Sequence, residues 1–247
     1  MKLRRRTLGE MKGQPRTQKA LAIAILVKSR LDRTQTIKNY TISKISNLAG
    51  VSPTTIRKYM PILKHMGFVA FFGNNNQHIT FKSLHSPTSN RNVDAREFEL
   101  DTLQNVVRSI QAYIALSIQA KREFIKRTIQ TVANPKTTKE LRTAREKVKR
   151  LVKKGILHDR YEKFKDFGIS YEKFAQEIGV SKKTAIGVIA FAINKGWVSK
   201  QKNVEQVFAP KVNHRKVEGY TFSTNNNLYI VKANTYTLHN QSICCIQ

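Results

Sequence analysis

Ile45-Ser-Asn-Leu-Ala-Gly50-Val51-Ser52 reads as the end of one helix, a tight turn and the first residue of a second helix. Gly50 stands where a left-handed residue ends many helices, because glycine adopts a positive φ without a steric clash of a Cβ atom. Ser52 is a favourable N-cap, and Pro53 suits the first helical position because its missing N–H needs no partner there. The sequence therefore predicts two helices joined by a short turn.

The apolar residues on both sides of this turn recur at helical spacing. They are Ile42, Ile45 and Ala49 in the first helix and Ile56, Tyr59, Met60, Leu63 and Met66 in the second. Burial of this stripe leaves Thr54, Thr55, Arg57 and Lys58 exposed near the beginning of the second helix. Pro61 lies inside the second helix and is expected to kink or reset it.

A β-hairpin is predicted after the second helix. Residues 68–72 and 78–82 alternate well enough to form two strands. Between them lies Gly73-Asn-Asn-Asn76-Gln, which is rich in residues that tolerate a positive φ.

The whole pattern recurs after 129 residues without a gap. The second copy reads Phe174-Ala-Gln-Glu-Ile-Gly179-Val180-Ser181 and continues to Thr184 and Gly196-Trp197-Val198. Gly50 thus corresponds to Gly179, and Gly67 corresponds to Gly196. A period this long is not that of a solenoid, so two copies of one domain are expected.

The second copy is predicted to repeat the first element by element. Its second helix would bury Ala185, Val188, Ile189, Ala192 and Ile193 and expose Lys182, Lys183 and Thr184. Residues 197–208 and 228–238 are expected to pair around a longer basic connection that contains His214, Arg215 and Lys216.

This arrangement of helix, turn, helix and hairpin resembles the winged helix-turn-helix superfamily over about residues 15–83 and 138–240. The resemblance implies binding of double-stranded DNA, with the second helix of the pair in the major groove and the hairpin, or wing, on the flanking backbone. The expected fold class is mainly α with small β-hairpin wings, as two winged-helix domains joined by a long helical connector.

Charge points to the same class of partner. The 247 residues carry a formal net charge of +29 with 40% hydrophobic content, which indicates a folded protein with a basic surface. Such a charge favours a polyanionic partner, either nucleic acid or an anionic membrane surface. Residues 1–92 contain 17 lysines and arginines against two acids, so the first copy is the strongest candidate for binding a polyanion.

Each copy contributes candidate DNA-binding residues. Arg57 and Lys58 are suited to guanine edges, while Thr54 and Thr55 are suited to phosphates or thymine methyl groups. The alternative is a solvated helix face, and the second copy has the further alternative of protein contact. The full set comprises Arg4, Arg5, Arg6, Lys44, Ser52, Thr54, Thr55, Arg57, Lys58, Asn75, Asn76, Ser181, Lys182, Lys183, Thr184, Lys200 and Lys202.

Two further basic segments have open interpretations. The N-terminal arm around Arg4–Arg5–Arg6 is suited to a minor groove or to phosphates, and the alternative is a disordered solubilising tail. The helix of residues 137–154 has a capping box formed by Thr137 and Glu140, and it contacts either the DNA backbone or solvent. Its buried stripe is predicted to be Leu141, Ala144, Val148 and Leu151, and Glu146 is expected to pair with Arg142 or Arg150.

Between the two copies the sequence predicts a connector. Residues 94–132 have apolar residues at helical spacing and are expected to form one long amphipathic helix or a helical hairpin. It would pack against the two modules or form a dimer interface. The predicted organisation is an arm at 1–14, a winged-helix domain at 15–85, the connector at 86–136, a second winged-helix domain at 137–240 and a tail at 241–247.

The sequence favours a non-enzymatic, intracellular protein. Carboxylates, histidines and tyrosines form no recognisable catalytic or metal-binding arrangement, and no phosphate-binding glycine loop occurs, so no cofactor, metal or small-molecule ligand is expected. Cys244 and Cys245 are adjacent, which fits neither a disulfide framework nor a metal site. No apolar run reaches the length of a membrane span, and the run of residues 20–27 lacks a signal-peptide cleavage site. A cytoplasmic, nucleoid-associated location in a bacterial or phage-infected cell is expected.

The expected function is sequence-specific binding of double-stranded DNA by tandem winged-helix modules. Two such modules in a basic chain of this size are similar to plasmid and phage replication initiators. The alternatives are a two-module transcription regulator and a scaffolding protein that packages nucleic acid without sequence preference.

Overall fold

A computed structural model describes residues 2–32, 34–82, 92–94, 98–132, 135–153, 166–202, 204–207, 220–224, 227–231 and 234–239. The described part is mainly helical, with small antiparallel sheets of two or three strands, as the predicted α+β class requires. Three predicted features lie outside the described residues: the end of the first domain at residue 85, the basic connection at His214–Lys216 and the tail with Cys244 and Cys245.

The described residues contain eight α-helices: α1 (Arg5–Glu10), α2 (Pro15–Arg30), α3 (Ile42–Ala49), α4 (Pro53–His65), α5 (Leu103–Val132), α6 (Thr138–Lys153), α7 (Tyr171–Ile178) and α8 (Lys182–Asn194). The strands are β1 (Lys2–Arg4), β2 (Thr36–Ile37), β3 (Val69–Phe72), β4 (His78–Phe81), β5 (Asn92–Asp94), β6 (Asp166–Gly168), β7 (Val198–Gln201), β8 (Val204–Val207), β9 (Tyr220–Thr224), β10 (Asn227–Val231) and β11 (Thr235–Leu238). A single turn of 3-10 helix, Asn74–Asn76, lies between β3 and β4.

The chain divides into two compact units, Met1–Leu116 with Ala175–Phe191 and Ser117–Phe174 with Ala192–Gln247. Each unit is therefore built from two separate stretches of the chain, whereas the sequence predicts contiguous domains.

The core of the first unit is organised around α2. Its residues Ala20–Val27 are fully buried, and the helix packs against both α3 and α4. This apolar run is therefore a core helix of the domain. From the neighbouring helices Ile45, Ile56 and Leu63 contribute fully buried side chains. Met60 and Met66 are only half-buried, so the predicted stripe on α4 is narrower than expected.

A three-stranded antiparallel sheet in the order β2-β4-β3 completes this part of the first unit. The β3–β4 pairing places Phe71 opposite Ile79 and Phe72 opposite His78. Because residues directly opposite in a ladder share one face, Phe71 lies on the buried face with Ile79, and Phe72 lies on the outer face. The predicted hairpin is confirmed, and α4 continues through Pro61 to His65, so the proline does not end the helix.

The second copy repeats the strand order of the first. In the second unit the sheet has the order β6-β11-β7, which matches β2-β4-β3 in connectivity. Where the first copy has only Gly73–Gln77 between its hairpin strands, the second has β8, β9 and β10, which form a sheet of their own in the order β8-β10-β9. The expected pairing of residues 197–208 with 228–238 is confirmed as two consecutive ladders, β7 with β11 and β8 with β10.

Local hydrogen bonds match between the copies at the same offset of 129 residues. The matched pairs are Lys44 N to Thr41 Oγ1 and Lys173 N to Ser170 Oγ, both at 3.2 Å; Thr55 N to Ser52 Oγ and Thr184 N to Ser181 Oγ, both at 3.2 Å; and Phe68 N to Leu63 O and Trp197 N to Ala192 O, at 2.9 and 3.0 Å. Gly50 and Gly179 have φ values of 64° and 73°, and Gly67 and Gly196 have 66° and 67°. The repeat in the sequence is therefore also a repeat of backbone structure.

The connector region is one long helix, α5, followed by α6. In the second unit, Phe124 and Ile129 of α5 pack with Ala144 and Val148 of α6. The capping box of α6 is confirmed, because Thr137 Oγ1 accepts from Glu140 N at 3.2 Å and Glu140 Oε2 accepts from Thr137 N at 3.4 Å. Leu141 is 47% exposed, so its predicted burial is wrong.

A buried polar cluster lies within the first unit. The Gln18 side chain is fully buried, and its Nε2 donates to Met11 O at 2.9 Å and to Ile178 O at 3.1 Å. Gln111 Nε2 in turn donates to Gln18 Oε1 at 3.1 Å. Beside them Gly13 N donates to Glu177 O at 3.0 Å, and the Glu177 carboxylate pairs with the Lys12 ammonium at 2.6 Å. The cluster thus joins the N-terminal segment and α2 to the end of α7.

Candidate nucleic-acid interface

The turn between α3 and α4 holds α4 by its first residues. Gly50 ends α3 in the left-handed region, and Val51 N donates back to Ser46 O at 3.1 Å. Ser52 then caps α4 through Thr55 N, and the hydroxyls of Ser52 and Thr55 are 2.9 Å apart. These two predicted DNA-binding hydroxyls therefore have a structural role at the helix end. Thr54, between them in the sequence, is exposed.

The exposed face of α4 carries positive charge. Arg57, Lys58 and Lys64 are exposed, and among the described residues no carboxylate lies within ion-pairing distance of any of the three. The first turn of α4 contains no acidic residue, although acids are favoured there by the helix dipole. The predicted exposure of Arg57 and Lys58 is confirmed.

The described acid closest in sequence to this region is engaged elsewhere. Asp32 Oδ1 accepts from the hydroxyl of Thr34 at 2.6 Å and from Thr34 N at 3.0 Å. The hydrogen bond from the Thr34 hydroxyl holds the pKa of the Asp32 carboxyl below its usual value. Lys44 Nζ donates to Asn39 O at 2.9 Å, which draws this cation towards the backbone of its own loop.

The hairpin tip is polar and conformationally defined. Asn75 and Asn76 are exposed and have φ values of 55° and 56°, the left-handed conformation that asparagine tolerates best among residues with a Cβ. Asn39 N donates to His78 Nδ1 at 3.1 Å, and the His78 ring lies 5.2 Å from that of Phe72. The tip is thus held by side-chain contacts at its base.

An open groove of about 450 Å³ lies between α4 and the hairpin. Its lining combines apolar, aromatic, basic and amide side chains, namely Tyr40, Ile42, Arg57, Met60, Pro61, Lys64, Phe71 and Asn76. The rings of Tyr40 and Phe71 are 5.5 Å apart, and Lys64 Nζ lies 5.7 Å from the centre of the Phe71 ring. Tyr40, Lys64 and Phe71 were not predicted as site residues, because the groove depends on which face of β3 Phe71 occupies.

The second copy keeps the caps but has different chemistry on its exposed helix face. Ser181 caps α8, and Lys183 and Thr184 are exposed as predicted, as is Lys182. At the positions of Arg57, Lys58 and Lys64, however, the second copy has Ile186, Gly187 and Ile193. Its second helix therefore lacks the cations that mark α4.

Two further predicted cations lie on β7 and just after it. Lys200 Nζ is 2.6 Å from the hydroxyl of Tyr171 and 5.0 Å from the centre of the Tyr171 ring, so it is engaged within the second unit. Lys202 is exposed.

The remaining basic segments have mixed outcomes. Lys2–Arg4 pairs with Asn92–Asp94 as a strand and Arg5–Glu10 is helical, so the predicted arm has regular backbone structure. The side chains of Arg4, Arg5 and Arg6 lie outside the described part of the chain.

On α6, Glu146 pairs with Lys149 at 2.7 Å rather than with Arg142 or Arg150. This contact holds the pKa of the Glu146 carboxyl below its usual value.

Within the described residues, no helix is long and apolar enough to cross a membrane. The described residues also contain no group of three or more histidine, cysteine, aspartate or glutamate side chains that could hold a metal ion.

Comparisons with protein-family models, with characterised proteins and with solved structures find no match for this chain.

Proposed function

We propose that this chain is a sequence-specific double-stranded DNA-binding protein that reads its site with α4. The observation that carries the proposal is the exposed pair Arg57 and Lys58 on a capped helix, with no described carboxylate in ion-pairing range. An exposed arginine on such a helix is suited to bidentate hydrogen bonds with guanine O6 and N7. The resemblance to winged helix-turn-helix proteins supports the same geometry.

Phosphate contacts would supply most of the binding free energy. A net charge of +29 allows several counterions to be released from DNA on binding, and this term carries no sequence information. Sequence preference would then come from the few side chains that reach base edges. In this scheme Arg57 specifies the site, while Lys58 holds an adjacent phosphate.

The two copies would have different tasks. The cations of α4 suit it to DNA, while the exposed Ile186 in α8 favours the alternative of protein contact for the second copy. We propose a role in replication initiation or regulation of a plasmid- or phage-type element, by analogy with proteins that carry two such modules. A two-module transcription regulator is the alternative role. A dimer interface formed by residues 94–132 is still a prediction. Three of the apolar residues in this region, Ile110, Ile114 and Ile129, are already buried within the single chain.

The test is a selection of random duplexes on the purified full chain, followed by sequencing. We expect one enriched motif that is bound about 10³-fold or more tightly than random duplex at physiological salt. Uniform affinity across sequences, with a salt dependence explained by phosphate contacts alone, would overturn the proposal. That outcome would instead favour packaging of nucleic acid without sequence preference, which the net charge also permits.

A further inference from the structure

A groove lies between α4 and the β3–β4 hairpin, and the reading of base edges in a duplex does not require a groove of this size and composition. Its volume of about 450 Å³ falls within the range of small-molecule sites. Ile42, Met60 and Pro61 provide apolar surface, and the half-buried rings of Tyr40 and Phe71 lie beside them.

Two aromatic rings in a basic groove are suited to the faces of nucleobases. In a duplex the base faces are stacked on one another, and only the base edges are exposed in the two grooves. An aromatic side chain can therefore stack on a base only where the base is unpaired and unstacked. The rings of Tyr40 and Phe71 are 5.5 Å apart and tilted by 55°, too close for a base to lie between them, so a base would stack on Tyr40 with Phe71 beside it.

The groove is also charged for a nucleotide. Arg57 and Lys64 line it, and no carboxylate is among its lining residues. Lys64 Nζ lies over the Phe71 ring, 5.7 Å from its centre, so the base would stack on Tyr40 and the Lys64 cation would lie near its phosphate. Asn76 adds an amide that can both donate to and accept from a base edge.

We propose that this groove binds an unpaired nucleotide of single-stranded DNA. The base lies on Tyr40 beside Phe71, and its phosphate lies at Lys64. The inference extends the proposed function, on which it rests in part, from duplex recognition to capture of a melted or displaced strand next to the recognised site.

The experiment measures binding of a fluorescein-labelled thymidine 12-mer to the full chain by anisotropy at physiological salt. Tyr40→Leu removes the ring but retains apolar volume, and Tyr40→Phe retains the ring. We expect Tyr40→Leu to weaken binding about 5- to 150-fold, the effect typical of one lost base stack, and Tyr40→Phe to restore it. A 12-mer of abasic sites keeps the phosphates, and parent and Tyr40→Leu should bind it equally.

Lys58→Ala is the matched control. Lys58 is exposed on the same helix but does not line the groove. Its loss should weaken duplex binding and leave 12-mer binding within about twofold, whereas Tyr40→Leu should do the reverse. Thermal midpoints of all variants verify that they are folded.

A direct readout comes from Tyr40→Trp. The only tryptophan in the sequence, Trp197, is buried, so a change in emission on adding the 12-mer would report on position 40. We expect quenching in Tyr40→Trp and none in the parent chain. Equal 12-mer affinity for parent and Tyr40→Leu, or no quenching, would overturn the inference.

The remaining outcomes separate the two proposals. If the chain binds the selected duplex but its affinity for the 12-mer does not depend on Tyr40, the inference fails and the proposed function stands. If the 12-mer binds through Tyr40 while no duplex is preferred, the proposed function fails and the groove assignment stands. A uridine ribonucleotide 12-mer that binds more tightly than the thymidine 12-mer would overturn DNA as the occupant.

Discussion

Arg57 and Ile186 occupy the same position in two copies of one helix-turn-helix, 129 residues apart. Both side chains are exposed, Ile186 by 41%. The two helices begin with the same serine cap, at the same 3.2 Å distance. The repeat thus retains the backbone geometry and changes the chemistry of the exposed helix face, which is the basis for proposing DNA recognition by the first copy alone.

The first prediction concerns this difference between the copies. Arg57→Ala should cost about 1 to 3 kcal/mol of binding to the selected duplex and relax the preference at one base step. Lys58→Ala should weaken binding to all sequences alike and reduce the salt slope by about one. Both are measured by anisotropy on the selected duplex and on its single-base variants.

Lys183→Ala in the second copy is the control, because it removes an exposed lysine from the equivalent capped helix. It should change the preference at no base step. Sequence-independent losses of equal size for Arg57→Ala and Lys58→Ala would contradict the assignment of α4 as the recognition helix.

The second prediction concerns the two serine caps. Ser52→Ala and Ser181→Ala should each lower the free energy of unfolding by about 1 kcal/mol, because each leaves one backbone N–H of the first helical turn without its acceptor. Since the two caps have the same geometry, the two losses should agree within a few tenths of a kcal/mol. Glycine at either position should cost only a few tenths of a kcal/mol. Urea unfolding of the four variants tests this, and a loss at one site only would show that the caps are not equivalent.

The third prediction compares two glycines of the second copy. Gly179 and Gly196 have positive φ values of 73° and 67°, so alanine at either should cost roughly 1 to 2 kcal/mol in backbone strain. A Cβ at Gly179 would also lie 2.6 Å from the carbonyl oxygen of Gly13, whereas a Cβ at Gly196 would meet nothing within 4 Å. Gly179→Ala should therefore lower the thermal midpoint clearly more than Gly196→Ala. Equal shifts would mean that the contact between Gly13 and Gly179 is not rigid.

Local chemistry was readable from the sequence, and long-range contacts were not. The Ser52, Ser181 and Thr137 caps, the left-handed Gly50 and the β3–β4 hairpin depend on residues within a few positions of one another, and these were predicted. The caps at Thr41 and Ser170 were not. The two-residue strand β2 pairs with β4 about 40 residues later, so nothing in its own sequence marks it as a strand. The burial of Gln18 is similarly invisible, because one of its partners, Ile178, is 160 residues away.

The same division holds for the candidate site. The exposure of Arg57 and Lys58 followed from helical periodicity, which assigns the opposite face to the core. The groove did not follow, because it requires the register of β3 and the passage of α4 through Pro61. Helical periodicity predicted burial of Leu141, but this side chain is exposed. The face of α6 that is buried, which includes Ala144 and Val148, is narrower than the apolar stripe in the sequence.

The fourth prediction concerns alkaline stability of the second unit. Burial raises the pKa of Tyr236 well above its usual value, and the nearby Tyr171 adds to the shift. In the unfolded chain this hydroxyl ionises near pH 10, while the folded chain retains the proton. Above that pH the folded state binds more protons than the unfolded state, so the free energy of unfolding should fall as pH rises.

Tyr236→Phe should remove part of this pH dependence between about pH 9.5 and 11, because phenylalanine has no proton to lose. The measurement is denaturant unfolding across that range, with the half-exposed Tyr40→Phe as the control. The same slope in the parent and in Tyr236→Phe would show that the phenol ionises without unfolding.

The fifth prediction tests the buried glutamine pair. Gln111→Leu removes the donor to Gln18 Oε1 and should lower the free energy of unfolding by about 1 to 3 kcal/mol, the cost of a buried acceptor without a partner. Gln18→Leu should cost a similar amount, because it removes the donor to Met11 O and Ile178 O.

The double variant should cost less than the sum, with a coupling of about 0.5 kcal/mol or more, since the second substitution removes a group that the first has already left unpaired. Gln119→Leu is the control, as its buried Nε2 has no hydrogen-bond partner among the described residues and its loss should be nearly neutral. Strict additivity of the two single losses would mean that the hydrogen bond between Gln111 and Gln18 does not couple α2 to α5.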